Sequence, residues 1–413
     1  MTMAAEKAQR AYDIVVWGAT GFTGRLVLEY LVKNYPQGGA LRWAAAARDE
    51  KKLSRVLQEI AGPAHKIPII IADSENIPSL RSMVTSTRVI LTTVGPYAKY
   101  GSGLVEACAE NGTHYCDLSG EPQWMRRMID SYQATAAQTG ARIVHSCGFD
   151  SIPSDFGVWF MQREAIRLHG HPCKQIRMLV RVMKGGASGG TIASMTQAMD
   201  EARSDRNVAR ILVDPYALNP EGERKGPDRR DQTGVVFDDD AGSWTAPFVM
   251  AGINTKIVRR SHALSGYPYG RDFRYSEAMM TGAGPAGWSK ASMLTAGLGA
   301  FMFANSFQLT RSTLVKMLVP KPGEGPSRTE RENGFFKLNF FGRLADGSLM
   351  RTSVTGDRDP GYGSTSKMLS ESAVCLARDA LHVDGGFWTP VSAMGESLFR
   401  RLIEKAGLTF ELE

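Results

Sequence analysis

Three glycines, Gly18, Gly21 and Gly24, stand three residues apart in "WGATGFTG". A short apolar run, Asp13–Trp17, precedes them, and a segment with helical spacing at Leu26, Val27, Tyr30 and Leu31 follows. Glycine at the first position permits a tight turn out of a strand. At the second it lets backbone approach a pyrophosphate, and at the third it lets a helix pack closely on a sheet. The helix start then offers unpaired N–H groups and a partial positive charge to phosphate oxygens. Ala19, Thr20, Phe22 and Thr23 fill the spaces, and the two threonine hydroxyls are further donors. The strand–turn–helix context marks this as a dinucleotide turn; a bare turn without ligand is the alternative.

The second strand ends in "WAAAARDE", so its first polar residue is Arg48. A guanidinium there can grip a ribose 2′-phosphate through several donors and stack on adenine. This favours NADP(H) over NAD(H). Asp49 is the competing residue, because an acidic side chain at that strand end would hold the ribose hydroxyls instead. A fourth strand ends in "TTVGPYAKYGSG", where Gly95 and Pro96 break it at the carboxyl edge of the sheet. Val94, Gly95, Pro96 and Tyr97 are therefore candidates to line the nicotinamide side. A sixth strand ends in "HSCGFDSIPSD", which places Cys147, Gly148, Phe149 and Asp150 at the same edge. Cys147 joins the cofactor residues on this ground. Asp150, Ser154 and Asp155 read equally as caps of the helix that follows.

The elements that must position these residues alternate. Strands are expected at Asp13–Trp17, Leu41–Ala47, Lys66–Ala72, Arg88–Val94, His114–Leu118 and Arg142–Ser146. Helices are expected at 22–35, 50–60, 101–111 and 123–139. This rhythm implies βαβ units and a buried parallel sheet over residues 10–150, a Rossmann-type dinucleotide-binding domain. The pattern changes after Pro153. A helix at 154–168, a strand at 175–183 and two strands at 334–342 and 348–356, joined at Asp346-Gly347, predict an α+β domain over 151–360. Its expected work is substrate binding or dimerisation. Residues 202–234 are polar and contain proline, and read as a decorated surface or a mobile lid. Residues 361–413 carry two helices, 364–380 and 396–406, able to pack back on the first domain. The fold class is thus α/β, with an N-terminal parallel sheet and a C-terminal α+β domain.

Composition excludes several functions. The 413 residues include 43 glycines without a fixed period, which rules out fibrous and repeat folds. Five cysteines at wide spacing and no CxxC pair argue for reduced thiols in a cytoplasmic compartment and against a zinc site. "HGHPC", with His169, His171 and Cys173, reads as a polar loop, so no metal is expected. No stretch reaches the ~18 apolar residues of a spanning helix. The longest, Ala291–Ala304, reads first as a buried core helix and second as a membrane-surface or acyl-facing segment. The net charge of +7 includes local clusters such as "KIVRRSH" at 256–262. These lack the interleaved aromatics of a nucleic-acid surface and suggest mild attraction for phosphorylated ligands, acidic carriers or anionic membrane.

The strings "GATGFTG", "VGPY", "YCDLSGE" and "GFDSIPSD" occur in an order that resembles the saccharopine dehydrogenase-like oxidoreductases. With "DPGYGSTSKM" and "GGFWTPVSAMG", the likeness is greatest to the branch of trans-acting enoyl reductases and covers nearly the whole chain, least at 200–330. Ala47 departs from the glycine more common in that family. The resemblance implies a Rossmann domain, a nicotinamide cofactor, a homodimer, and a small-molecule substrate that is an acyl chain borne by a carrier. In such a reaction hydride goes to the β-carbon, and a donor must stabilise the enolate oxygen and protonate the α-carbon. Tyr97, then Tyr115, are the candidates, with packing beside the ring as the alternative role for Tyr97. Two other functions stay open: an imine or amino-acid dehydrogenase of the saccharopine type, and a non-catalytic NADP-binding regulator at a lipid surface.

Overall fold

Apolar runs such as "DIVVW" and "WAAAA" have no polar face to turn to water, so they are buried on both sides of a parallel sheet. A computed structural model, describing residues 10–185, 189–304 and 325–413, contains two seven-stranded sheets. The N-terminal elements are β1 (Tyr12–Trp17), α1 (Phe22–Asn34), β2 (Trp43–Ala47), α2 (Glu50–Ala61), β3 (Ile69–Ile71), α3 (Ile77–Thr85), β4 (Thr87–Thr92), α4 (Tyr97–Tyr100), α5 (Ser102–Glu110), β5 (His114–Cys116), α6 (Pro122–Thr139) and β6 (Arg142–Val144). There follow α7 (Ile152–His169), β7 (Gln175–Lys184), α8 (Gly189–Ser204), α9 (Arg206–Val213), β8 (Val236–Asp238), β9 (Ser243–Ala246), α10 (Ala251–Leu264), β10 (Arg274–Gly282) and α11 (Gly284–Ala304). The chain closes with α12 (Arg328–Glu332), β11 (Phe335–Arg343), β12 (Leu349–Gly356), α13 (Thr365–Arg378), β13 (Gly386–Trp388), α14 (Pro390–Glu404) and β14 (Leu408–Leu412).

Among the described residues one compact unit comprises 10–148, Gly325 and Tyr362–Ala406. Its sheet has the order β13-β6-β5-β4-β1-β2-β3, and every pairing is parallel. The order reverses between β1 and β4, the switch point at which ligands bind in open α/β sheets. Three parts of this unit went unread in the sequence: α3, the short α4 and β13. The last is three residues long, too short for a periodic signal, and pairs Gly386 with Arg142.

The second unit comprises, among the described residues, 149–185, 189–304, Pro326–Gly361 and Gly407–Glu413. Its sheet runs β14-β12-β11-β7-β10-β9-β8; β7 and β10 are parallel and the other pairs antiparallel. The β11–β12 hairpin turns at Asp346-Gly347 as expected. The excursion at 202–234 is mostly exposed or half-buried and carries a few buried anchors. Tyr216, Leu218 and Asn219 are buried, and the Asp228 carboxylate pairs with Arg259 at 2.6 Å.

Two expectations are overturned in this unit. "KIVRRSH" lies on α10, where Lys256, Arg259 and Arg260 are 1%, 4% and 4% exposed, so these cations are unavailable to a carrier or membrane. Ala291–Ala304 lies on α11 and is no core helix: Gly287 and Ala291 are its buried residues, whereas Met293 is 74% exposed. The sequence also predicts a mostly helical, apolar segment over Trp288–Val319, a breaker at Lys321–Ser327 and a glycine-rich loop at 184–190; of these, 305–319, 321–324 and 186–188 lie outside the described residues. Among the described residues no helix is long and apolar enough to cross a membrane.

Candidate functional site

The glycine turn closes on itself at the end of β1. Gly18 has φ +88° and its carbonyl accepts from Gly21 N at 2.9 Å. A Cβ on Gly24 would lie 2.1 Å from the Gly18 oxygen, so the third glycine is required by the turn's own backbone. At Gly21 the position is exposed, and a Cβ would meet Gly18 O alone, at 3.3 Å. That is the place where a phosphate could approach. Gly21 is also the N-cap of α1, which has no side-chain cap and no acidic residue in its first turn. A helix start of this kind suits an anion. The Phe22 ring stands edge-on to Tyr362 at 4.8 Å, leaving its backbone as the part directed to the turn.

Neighbouring strand ends meet this turn. Ala46 at the end of β2 accepts from Gly18 N at 3.2 Å and Ala19 N at 3.3 Å. Arg48 follows two residues on, exposed. Asp49 is otherwise engaged: it is the N-cap of α2, and its carboxylate accepts from Lys52 N at 2.9 Å. One oxygen of that carboxylate is thus engaged by the start of α2. On the other side, Val94 and Thr93 lie directly against Gly18, where an added Cβ would be 2.7 Å from Val94 Cγ2 and 2.8 Å from Thr93 Oγ1. β4 ends at Thr92, two residues earlier than expected, and Thr93 was not anticipated. Gly95 is exposed, and the Gly95–Pro96 bond is cis.

The two candidate tyrosines are turned inward. Tyr97 is buried; its hydroxyl donates to the Thr92 carbonyl at 3.3 Å and accepts from Leu118 N at 3.1 Å. Its ring stacks on Trp124 at 5.5 Å. Burial, helped by the nearby Asp117 carboxylate, raises its pKa well above the usual tyrosine value. Tyr115 is fully buried and donates to Asp117 Oδ2 at 2.9 Å; burial and then Asp117 push its pKa up as well. This placement matches the packing role that was the alternative for Tyr97. Cys147 is likewise buried, its thiol directed to the Val144 carbonyl at 3.6 Å, so what it can offer the edge is backbone.

The residues that organise this edge are ones the sequence argument passed over. Buried Glu121 accepts from Tyr97 N and Ala98 N, each at 2.8 Å, and so caps α4. Asp117 Oδ1 accepts from Ser119 N at 2.9 Å and Ser146 N at 3.0 Å, while Oδ2 lies 2.7 Å from His145 Nδ1. One carboxylate thus ties the loop after β5 to the loop after β6. The available signal was the string "YCDLSGE", which holds both acids. In the second unit, α7 begins at Ile152 with Ser151 as N-cap and no side-chain cap bond, so Asp150, Ser154 and Asp155 are not its caps. Burial lifts the Asp150 carboxyl to about 7. Cys173 is buried, with its backbone held by Gln162 through bonds of 2.8 and 3.0 Å. All five cysteines are buried and none forms a disulfide.

A parallel sheet with a glycine turn at its switch point and an arginine at the second strand end defines a nicotinamide dinucleotide oxidoreductase. The saccharopine dehydrogenase NADP binding domain family matches residues 14–144, which gives the cofactor as NADP(H). A Mycobacterium tuberculosis (strain ATCC 25618 / H37Rv) protein provisionally named a trans-acting enoyl reductase is 42% identical over 404 residues, covering 95% of this chain and 96% of the relative. The trans-acting enoyl reductase of Mycobacterium bovis (strain BCG / Pasteur 1173P2) is 39% identical over 406 residues, covering 96% of each. The chain belongs to this trans-acting enoyl reductase family, within the saccharopine dehydrogenase-like NADP-dependent oxidoreductases. Apo saccharopine dehydrogenase (L-Glu forming) from Saccharomyces cerevisiae shares the fold, with a TM-score of 0.52 at 10% identity over 97% of this chain and 99% of that one.

Proposed function

We propose that this protein reduces the carbon–carbon double bond of an enoyl thioester with NADPH, acting on an acyl chain borne by a carrier. The observation that carries the proposal is the near full-length identity to trans-acting enoyl reductases, which spans the cofactor unit and the second unit alike. The cradle fits the cofactor: an uncapped helix start, an open glycine at Gly21 and an exposed Arg48 whose acidic neighbour is engaged elsewhere. NADPH supplies the hydride. The chain's own residues bind and orient. Gly18 to Gly24 would hold the pyrophosphate, Arg48 the 2′-phosphate, and Val94, Gly95 and Pro96 would flank the nicotinamide side. Tyr97 and Tyr115 would serve as walls that keep water from that edge, and the backbone at Cys147 would complete it.

The test is cofactor titration followed by turnover. Arg48→Ala should weaken NADPH binding about ten- to a hundredfold, the worth of charge-assisted bonds to a phosphate, and leave NADH binding unchanged. Equal loss for both cofactors would remove Arg48 from the 2′-phosphate. Oxidation of NADPH, followed by absorbance, should require an enoyl thioester. Reduction of NADP⁺ by amino acids, with enoyl thioesters inert, would refute the proposed substrate class.

A further inference from the structure

Helix α11 is apolar on every side yet lies at the surface. It runs 21 residues with one cation, Lys290, and no acidic side chain. A helix of that composition belongs in a core or against lipid. Here Trp288, Met293 and Phe303 are 50%, 74% and 68% exposed. Its root is fixed. The Thr281 hydroxyl donates to Gly287 O at 2.9 Å, and a Cβ on Gly287 would sit 2.0 Å from Gly282 O, so helix and strand end are in direct backbone contact.

Beside the first half of the helix opens a cavity of about 540 Å³, lined by Met280, Thr281, Met293 and Leu294 together with Arg181 and Lys290. Among the described residues that line it none is acidic. Arg181 feels the Glu413 carboxylate from a distance, but Lys337 holds that carboxylate at 2.8 Å. Among the described residues the surface therefore combines apolar side chains with two cations, Arg181 and Lys290, that form no ion pair.

We propose that α11 and this cavity form a docking surface for an anionic lipid bilayer, with the helix lying in the interfacial plane. Trp288 sits at headgroup depth, Met293 and Phe303 enter the acyl boundary, and Lys290 and Arg181 meet lipid phosphates. A second copy of the chain fits less well. A two-fold contact sets the same patch against itself, and this patch would bring cations against cations with no acid to separate them. Among the described residues no helix is long and apolar enough to cross a membrane, and the contact proposed is peripheral and reversible.

The test uses the full chain and vesicles of phosphatidylcholine, with and without phosphatidylglycerol. The protein should co-sediment with the anionic vesicles. Met293→Glu/Phe303→Glu should lower the partition coefficient at least about tenfold, and Arg181→Glu/Lys290→Glu should abolish the preference for phosphatidylglycerol. NADPH binding, measured on each variant, should be unchanged and reports that the fold is intact. No co-sedimentation with either vesicle overturns the proposal. So does a dimer in sedimentation velocity that the Met293/Phe303 variant dissociates while vesicles go unbound, or capture by an acidic carrier protein in place of lipid. The assay contains no enoyl substrate, so its outcome is independent of the proposed reaction.

Discussion

Helices α10 and α11 belong to the same unit and invert the usual relation between side-chain type and burial. α10 carries Lys256, Arg259, Arg260 and His262 into the interior, whereas α11 carries methionine, phenylalanine and tryptophan to the surface. The difference lies in partners. Each buried cation of α10 is matched: Lys256 donates to the carbonyls of Leu212 and Gly252 at 3.1 and 3.0 Å, and Arg259 to Asp228 and the Tyr275 carbonyl at 2.6 and 2.9 Å. Arg260 donates to the Leu218 carbonyl. Burying a charge is costly only when its partners are missing. α11 has the opposite situation, apolar side chains such as Met293 and Phe303 that stand exposed.

The largest way to break this contrast is to remove one half of a buried pair. Arg259→Ala should cost about 3–5 kcal/mol, because Asp228 is left charged and buried. A denaturant midpoint would record it, and a loss below 1 kcal/mol would mean that water enters the site. The next effect is in the pH dependence. Burial lifts Glu277, which accepts from Asn254 of α10 at 3.0 Å, to about 7. The folded chain then holds more protons than the unfolded one between about 4.5 and 7. The stabilisation is complete below that window and is lost as pH rises through it. Relative to Glu277→Gln, the wild type should lose on the order of 3 kcal/mol across the window.

Lys256 behaves with the opposite sign. Burial lowers it to about 8, so the folded chain holds fewer protons than the unfolded one up to about 10.5. Wild-type stability should rise with pH over that range relative to Lys256→Met. A flat difference for either variant would show that the group is hydrated in the folded state. The smallest effect is expected on α11, where Phe303→Ser should change stability by less than about 0.5 kcal/mol. A larger loss would reveal a cover over the helix in solution.

The glycine turn was legible because its parts are local. Gly18, Gly21 and Gly24, the strand before them and the helix after them fall within a few turns of chain, and Arg48 is marked by the end of an alanine run. Asp117 and Glu121 were not legible as organisers, since nothing near them in sequence says that one ties together the β5 and β6 loops and the other caps α4. Tyr97 shows the same limit: its position after Gly95-Pro96 was read correctly, but not the direction of its hydroxyl, which is fixed by Thr92 and Leu118. β13 escaped because three residues carry no period and its partner β6 lies over 200 residues away.

The sequence by itself determined the parallel sheet, the glycine turn and the family, all of which rest on apolar runs, glycine spacing and ordered motifs. The tertiary structure alone decided which charges are inside and which hydrophobic residues are outside. A residue's type sets the cost of moving it out of water. Whether that cost is offset depends on a partner such as Asp228 for Arg259, 31 residues apart, or Asp13 for Arg378, 365 residues apart, which only the fold brings together.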